Sequence, residues 1–319
     1  MDENIIDLKN LTISFKEKKS ELIAVNDVSF GIKKGEILGL VGESGCGKTV
    51  TSLAILKLIS KNAQIKKGEI LYRDKNLLNL SEKELKKIRG KNISMIFQEP
   101  MSSLNPLLKV GNQIKEIINI HRIGDKKDNK DKVIKLMKNV GLASPENTYN
   151  KYPHELSGGQ RQRIIIAIAI ANNPDLIIAD EPTTALDVTI QAQIIELLKG
   201  INENKKSSIL FISHDLALIK EMSNRIIIMY AGFIVEEAET KELFNNTLHP
   251  YTKGLLESIP EPSKKGSKLN TIKGKVADSK QRLIGCPFKE RCPISVEKCF
   301  IKLPDLKEKN GHKVRCFMA

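Results

Sequence analysis

The stretch Gly42-Glu43-Ser44-Gly45-Cys46-Gly47-Lys48-Thr49 decides how this chain of 319 residues is organised. An apolar segment, 36–41, precedes it, and a helical pattern from 48 to 59 follows it. Glycines in such a turn let successive backbone N–H groups face one centre, and the next helix adds its positive N-terminal end. Because a strand precedes and a helix follows, we predict a phosphate-binding loop in which Lys48 reaches nucleotide β- and γ-phosphates and Thr49 binds Mg²⁺.

Short apolar segments and helical patterns alternate after this loop. The strand segments are 93–97, 176–179, 209–212 and 225–229, after two earlier ones at 11–15 and 22–32. Helical patterns are 106–156 (with a charged break at 124–131), 164–171, 189–202 and 215–222. Strands that alternate with helices predict an α/β fold with a parallel sheet covered on both faces.

The apolar segment 176–179 runs directly into two carboxylates, Asp180 and Glu181. Open α/β sheets bind ligands beyond the carboxyl ends of their strands. We therefore expect Asp180 to hold Mg²⁺, directly or through water. Glu181 is then placed to polarise a water molecule for in-line attack on the γ-phosphate.

A second glycine-containing segment, Leu156-Ser157-Gly158-Gly159-Gln160, precedes the apolar helix 164–171. Ser157 and the helix N-terminus offer hydrogen-bond donors that suit phosphate oxygens, and the glycines allow close approach to a ligand. Cys46 is interpreted as a small loop residue without a metal or redox role.

Six motifs in a fixed order give these segments a family resemblance. They are the phosphate loop, Gln98, the 156–160 segment, Asp180-Glu181, Ala185-Leu186-Asp187 and His214. In this order they resemble the ATPase subunit of an ABC transporter over residues 1 to about 240. The resemblance implies a P-loop ATPase with a RecA-like parallel-sheet core, an antiparallel β subdomain, a helical subdomain and a Cys-containing C-terminal tail.

The resemblance also implies a set of site residues and a head-to-tail dimer that encloses ATP and Mg²⁺. Gln98 senses Mg²⁺ and the γ-phosphate, His214 contacts that phosphate and positions Glu181, and Ser157 and Gly159 face the partner's loop. Phe15 stands where the family stacks an aromatic ring on adenine. The alternative for Phe15 is a plain strand residue, and the alternative for His214 is a purely structural role. The absence of an N-K-x-D motif favours ATP over GTP. The implied catalytic residues are Lys48, Gln98, Glu181 and His214. The implied Mg²⁺ ligands are Thr49, Gln98 and Asp180. The residues implied to bind the nucleotide are Phe15, Gly42, Glu43, Ser44, Gly45, Cys46, Gly47, Lys48, Thr49, Val50, Gln98, Ser157, Gly158, Gly159, Gln160, Asp180, Asp187 and His214.

Two further segments, 98–106 and 249–260, resemble importers of dipeptides, oligopeptides and nickel. The resemblance implies a nucleotide-binding core (1–98 and 166–245, with the N-terminal β subdomain), a helical subdomain (99–165) and a C-terminal tail (246–319). It implies as partners two membrane-spanning permeases, a second ATPase subunit (related or identical) and an extracytoplasmic peptide-binding protein. One departure is 275–278, which lacks the family's proline, so the path of that loop is left open.

The tail is basic and contains most of the cysteines. From 261 to 319 there are 15 Lys/Arg against 6 Asp/Glu, and four of the five cysteines: Cys286, Cys292, Cys299 and Cys316. Their C-x5-C-x6-C-x16-C spacing lacks the tight pairs of zinc knuckles, and disulfides are disfavoured in the cytosol. Four thiolates suit a [4Fe–4S] cluster, to which the resemblance also points, with zinc and free thiols as alternatives.

Composition and hydropathy narrow the classes of function. The longest apolar run, 164–171, has eight residues, whereas a membrane span needs about 20, and no signal segment opens the chain. We therefore expect a peripheral subunit on the cytoplasmic face of the cell membrane that drives peptide uptake. A nickel importer remains an alternative, and an ABC-type ATPase acting on nucleic acid or a non-catalytic regulator is less favoured; no nucleic-acid partner is expected.

Overall fold

The structure is a computed structural model that describes residues 3–16, 20–98, 103–121, 129–184, 186–259, 272–276 and 284–319. Predicted features at 99–102, 124–128, Ala185, 260–266 and 277–278 lie outside these residues. The chain forms two compact units. The first unit is built mainly from Asn79–Leu210, with Met1–Ile5 and Lys33–Glu36, and the second from Ile6–Ile32, Ile37–Leu78 and Phe211–Ala319.

Twelve strands and eleven helices are assigned within the described residues. The strands are β1 Asn4–Lys16, β2 Glu21–Lys33, β3 Ile37–Val41, β4 Ala63–Tyr72, β5 Lys75–Asn76, β6 Ile93–Ile96, β7 Leu176–Asp180, β8 Ser208–Ser213, β9 Arg225–Tyr230, β10 Phe233–Glu239, β11 Lys307–Lys309 and β12 His312–Val314. The helices are α1 Lys48–Ile55, α2 Glu82–Ile88, α3 Val110–Ile120, α4 Lys130–Asn139, α5 Pro145–Tyr149, α6 Gly158–Ile170, α7 Val188–Lys205, α8 Leu216–Met222, α9 Thr240–Asn245, α10 Pro250–Glu257 and α11 Glu297–Ile301. Short 3-10 turns lie at Leu77–Asn79, Pro153–Glu155 and Lys289–Arg291.

The second unit contains an antiparallel sheet and a mixed sheet. The antiparallel sheet has the order β2-β1-β4-β5, and Phe15 of β1 lies opposite Ala63 of β4. The mixed sheet has the order β11-β12-β10-β9-β3, in which β3 and β9 are parallel and the other pairs are antiparallel. All five residues of β3 are buried, as expected for a strand covered on both faces. The tail thus adds two antiparallel strands, β12 and the edge strand β11, which the sequence analysis did not predict.

The first unit contains strands in the order β8-β7-β6, of which β6 and β7 are parallel with Ile93 opposite Leu176. Helix α3 packs against α4, α5 and α6. A side chain at Gly111 of α3 would place its Cβ 2.3 Å from the Tyr149 ring, so glycine sets the close approach of α3 and α5. This helical cluster and the buried strand β7 position the carboxylates and the 156–160 segment.

Candidate functional site

The phosphate loop joins β3 to α1 in the second unit. Gly47 caps α1 in the left-handed region (φ 106°), and a Cβ there would lie 2.7 Å from the carbonyl oxygen of Ala24. Gly45 also has a positive φ (77°), but a Cβ there would meet no atom within 4 Å. The loop is therefore packed tightly on its inner side at Gly47 and open at Gly45, as a ligand-binding turn requires.

Lys48 begins α1 and is folded over the loop. Its side chain is buried, and Nζ donates to the carbonyl oxygens of Gly42 at 2.7 Å and Glu43 at 3.2 Å. Thr49, the next residue, is exposed at the same helix end. The ammonium group is thus held by backbone carbonyls of the loop itself, and phosphate oxygens are stronger, charged acceptors for the same N–H groups.

The acidic pair lies at the end of β7 in the first unit. Asp180 is buried, whereas Glu181 leaves the strand with a left-handed backbone (φ 47°), a rare conformation for a residue other than glycine. Glu181 Oε2 accepts hydrogen bonds from Gln98 Nε2 at 2.9 Å and from Thr184 Oγ1 at 3.0 Å. The structure therefore brings together Gln98 and Glu181, which are 83 positions apart in the sequence. Thr184 is a further partner of the carboxylate that the sequence analysis missed.

Ser157 is the N-cap of α6 and is exposed. Its Oγ accepts from the Gln160 N–H at 3.3 Å, and the Gln160 side chain accepts from the Ser157 N–H at 3.1 Å. This reciprocal capping box fixes the N-terminal turn of the helix. A Cβ on Gly159 would lie 2.9 Å from Ile190, so this glycine also permits α6 to pack on α7.

The other predicted site residues lie at element ends or on strands. Exposed His214 follows β8, and Asp215 after it caps α8 through the N–H of Ala217 at 2.8 Å. Asp187 caps α7 by accepting from the Ile190 N–H at 2.9 Å, a structural role that its place before a helix could have indicated. Phe15 is half-buried on β1. The predicted site residues thus fall in both units.

All four tail cysteines line one small cavity in the second unit, together with His249, Phe288 and Pro304. The Cys286 N–H donates to the Cys299 carbonyl oxygen at 2.7 Å. Burial raises the pKa of the Cys286 thiol to about 11, and the other three cysteines add to the effect. Among the described residues, however, no group of three or more His, Cys, Asp or Glu side chains is arranged to hold a metal ion. The structure therefore brings the four cysteines to one cavity, but a metal site is not shown.

Glu43 has partners that the sequence analysis did not anticipate. Its carboxylate accepts two hydrogen bonds from the Arg291 guanidinium, and its backbone N–H donates to the Tyr251 hydroxyl at 2.9 Å. Both partners stand within tail segments that the family resemblance covers, but 208 and 248 positions separate them from Glu43. Local sequence patterns do not relate residues at such separations, so only the structure reveals these contacts of Glu43.

Comparison with known proteins agrees with the fold and the loop. The family description "ABC transporter" matches residues 25–184, and "Oligopeptide/dipeptide transporter, C-terminal region" matches residues 235–299. The oligopeptide transport ATP-binding protein AppD of Bacillus subtilis (strain 168) is 48% identical over 316 residues, which cover 98% of this chain and 96% of that protein. The dipeptide transport ATP-binding protein DppD of Haemophilus influenzae (strain ATCC 51907 / DSM 11121 / KW20 / Rd) is 46% identical over 312 residues, which cover 98% and 94%.

A solved structure is similar as well. The dimeric post-hydrolysis state of the ATP-binding cassette MJ0796 bound to ADP and Pi has a TM-score of 0.67 and 31% identity, covering 74% of this chain and 98% of that chain. The fold and the loop thus define a P-loop ATPase. The chain belongs to the ABC transporter family, among the ATP-binding proteins of its oligopeptide/dipeptide branch. The predicted family, fold class and ATPase activity are confirmed. In the part of the chain that the structure describes, no helix has the length and apolarity to cross a membrane.

Proposed function

We propose that this chain hydrolyses ATP to drive the uptake of dipeptides or oligopeptides across the cytoplasmic membrane. The match of residues 235–299 to the C-terminal region of oligopeptide/dipeptide transporters carries this proposal. The chain lies on the cytoplasmic face, bound to two membrane-spanning permeases and to a second ATPase subunit, and an extracytoplasmic binding protein delivers the peptide. The division into a core (1–98 and 166–245), a helical subdomain (99–165) and a tail (246–319) belongs to the same proposal.

The phosphate loop supplies the ATP-binding half of the proposed reaction. Lys48 exchanges its two carbonyl partners for β- and γ-phosphate oxygens, and the loop from Gly42 to Val50 provides N–H donors. Phe15 stacks on the adenine. Three side chains carry oxygen atoms of the kind that Mg²⁺ prefers as ligands: the exposed Thr49 hydroxyl in the second unit, and the buried Asp180 carboxylate and the Gln98 amide oxygen in the first. Bound Mg²⁺ neutralises charge that develops on the phosphate oxygens.

Glu181 acts as the general base of the reaction. A water oxygen attacks the γ-phosphorus in line, the bond from that phosphorus to the β–γ bridging oxygen breaks, and the water proton passes to the Glu181 carboxylate. Gln98 and Thr184 support this role because their hydrogen bonds orient the carboxylate. His214 contacts the γ-phosphate. The nucleotide held by the other subunit is contacted by residues of the 156–160 segment and by Asp187; the contacting residues of that segment are Ser157, Gly158, Gly159 and Gln160.

A charge-removing variant tests the general base. Glu181→Gln replaces the carboxylate by an amide, which retains one acceptor oxygen but does not accept a proton. ATP binding should therefore persist while turnover falls by about 10²–10⁴-fold. The matched control is Glu196→Gln, since Glu196 is 73% exposed on α7, where it pairs with Lys199. Normal ATP turnover by the Glu181→Gln variant would contradict the role of Glu181 as the general base.

Reconstitution in lipid vesicles separates the candidate functions. With the two permeases and the binding protein present, peptide is expected to stimulate ATPase activity and to enter the vesicles. Stimulation by Ni²⁺ instead of peptide would favour the nickel-importer alternative. Stimulation by DNA or RNA with no response to permeases would overturn the transport proposal.

We also propose that Cys286, Cys292, Cys299 and Cys316 hold a [4Fe–4S] cluster. The support is that all four line one cavity, and Cys₄ sets are the usual ligands of such clusters. The proposed role of the cluster is to stabilise the tail.

Anaerobic purification tests the cluster. About four irons per chain and brown colour are expected, and Cys299→Ser should lose both. Cys46→Ser is the matched control for iron content, because Cys46 belongs to the phosphate loop and does not line the cavity. Colourless protein with one bound zinc would contradict the cluster.

A further inference from the structure

The guanidinium group of Arg291, a residue of the tail, is buried and fully hydrogen-bonded. Its side chain is only 6% exposed, and all five N–H donors of its guanidinium have partners. Two of them form a bidentate pair with the Glu43 carboxylate, at 2.7 Å and 2.9 Å. The others donate to the Tyr230 hydroxyl at 3.2 Å and to the backbone carbonyl oxygens of Lys273 at 3.0 Å and Ile272 at 3.3 Å.

Aromatic rings hold this guanidinium in its orientation. Its central carbon lies 5.7 Å from the Tyr230 ring centroid and 5.9 Å from that of Phe288. Phe288 in turn packs edge-on against Tyr230 at 5.2 Å and lines the cysteine cavity. Arg291 also ends the short 3-10 turn between Cys286 and Cys292, so the fold of the cysteine segment determines where the guanidinium lies.

The partner of Arg291 is a carboxylate inside the phosphate loop. Glu43 is the second residue of that loop, next to Gly42, whose carbonyl oxygen holds the Lys48 ammonium. A carboxylate that lacked a counter-ion here would repel a nucleotide triphosphate and would compete with it for Lys48. A bidentate arginine both neutralises the carboxylate and fixes its direction.

We propose that Arg291 is a positioning residue of the ATP site, through which the C-terminal cysteine segment neutralises Glu43 and holds the phosphate loop ready for the triphosphate. This inference rests on the proposed role of the loop in ATP binding. It assigns to the tail an influence on nucleotide affinity in addition to any structural role. Because Arg291 acts through Glu43, its loss is harmful only while the Glu43 carboxylate is present.

A double-mutant cycle tests this dependence in the full chain. Arg291→Ala should raise the Kd and the KM for ATP about tenfold, within the usual range of coupling between sites, with kcat changed by less than about twofold. Adding Glu43→Gln to that variant should restore the affinity to that of Glu43→Gln alone. The tenfold loss should also shrink at high salt, since salt screens an exposed like-charge repulsion.

A matched control separates positioning from folding. Arg225 forms a comparable ion pair with Glu237 in the same unit, but Arg225 pairs with Leu38 at the end of β3 that lies away from the loop. Arg225→Ala is therefore expected to lower stability without changing ATP affinity. If Arg291→Ala does not fold, Arg291→Lys, which keeps the charge but loses the bidentate geometry, should show a smaller loss that Glu43→Gln again removes.

The outcomes distinguish the inference from its premise. A wild-type chain that bound no ATP would overturn the proposed function and this inference with it. A wild-type chain that bound ATP, together with an Arg291→Ala variant of unchanged affinity, would overturn the inference alone. A defect that persisted in the double variant would also overturn it, because a merely structural loss is not repaired at Glu43.

Discussion

Tyr251→Phe removes one hydroxyl group from beneath the phosphate loop and leaves the packing of its ring intact. The ring is fully buried, and its centroid lies 4.6 Å from that of Tyr230 and 5.4 Å from that of Phe288. The hydroxyl oxygen accepts from the Glu43 N–H at 2.9 Å. Phenylalanine preserves these ring contacts, so the variant isolates the single hydrogen bond that joins α10 to the loop.

The magnitude follows from the burial of this bond. A neutral hydrogen bond contributes about 0.5–1.5 kcal/mol net, whereas a buried donor that loses its partner costs about 1–3 kcal/mol. Since the Tyr251 side chain excludes water on its own side, we expect the free energy of unfolding to fall by about 1–2 kcal/mol. Urea denaturation followed by circular dichroism measures this change.

Tyr149→Phe provides the comparison in the other unit. Its hydroxyl donates to Asn112 Oδ1 at 3.2 Å, and Asn112 is exposed, so water replaces the lost partner and the loss should be smaller. A Tyr251 variant as stable as the wild type, or one that lost no more than the Tyr149 variant, would refute the assignment of this hydroxyl as a support of the loop.

Two further predictions concern His249 and the loop glycines. Burial lowers the pKa of His249 to about 3, and its Nδ1 accepts from the Tyr251 N–H at 3.1 Å, so the folded chain keeps this ring neutral. As pH falls below about 6.5 the unfolded chain takes up the proton first, so the free energy of unfolding should fall by about 1.4 kcal/mol per pH unit. His249→Asn retains an acceptor for the helix cap but does not titrate, so urea denaturation at several pH values should give a shallower slope for this variant. Equal slopes for the variant and the wild type would contradict the reasoning. Gly47→Ala should abolish ATP binding, because its Cβ would lie 2.7 Å from a carbonyl oxygen. Gly45→Ala has open space around it and should lose only about 1–2 kcal/mol of stability, the cost of its left-handed backbone. Equal effects of the two variants in a nucleotide titration and a thermal melt would contradict the distinction.

The elements that the sequence predicted well are those whose burial is uniform. Strands β3, β7, β8 and β9 read as short apolar runs because neighbours cover both faces, and each was predicted to within two residues. Helix α1 was predicted to extend to Ile59 but ends at Ile55. Lys57 turns into the left-handed region (φ 53°), and its ammonium donates to the Leu78 carbonyl oxygen at 2.9 Å. No glycine marks this end, so only the tertiary contact reveals it.

Strand β10 was missed because of its charges. Glu236 and Glu237 are both buried in the middle of the strand, a placement that composition argues against. Glu236 accepts from the N–H groups of Leu248 at 2.7 Å and His249 at 3.2 Å and pairs with His312 at 2.8 Å. These partners come from later segments, so a local pattern did not indicate that the carboxylate would be satisfied inside the sheet.

The candidate site likewise has features that the sequence predicts and features that only the structure reveals. The phosphate loop, the acidic pair and the capped N-terminus of α6 were predictable, because each is a local motif whose chemistry resides in a few consecutive residues. The support of the loop was not predictable, since it comes from three separate segments. Gly232 donates its N–H to the Cys46 carbonyl oxygen at 3.0 Å, Tyr251 accepts from Glu43, and Arg291 neutralises Glu43.

Two of these three contacts come from the tail, at Tyr251 and Arg291. An isolated strand–loop–helix would expose the Glu43 carboxylate, the Glu43 N–H and the Cys46 carbonyl oxygen to solvent, and the loop would lose conformational entropy when it closed on a nucleotide. In this chain Gly232 satisfies the Cys46 carbonyl, and the tail residues Tyr251 and Arg291 satisfy the two groups of Glu43 before the nucleotide arrives. Part of the ordering cost is therefore met during folding instead of binding. The tail residues Tyr251 and Arg291 are therefore interpreted as supports of the phosphate loop, and the fold of their segments and the affinity of that loop for a nucleotide form one coupled equilibrium.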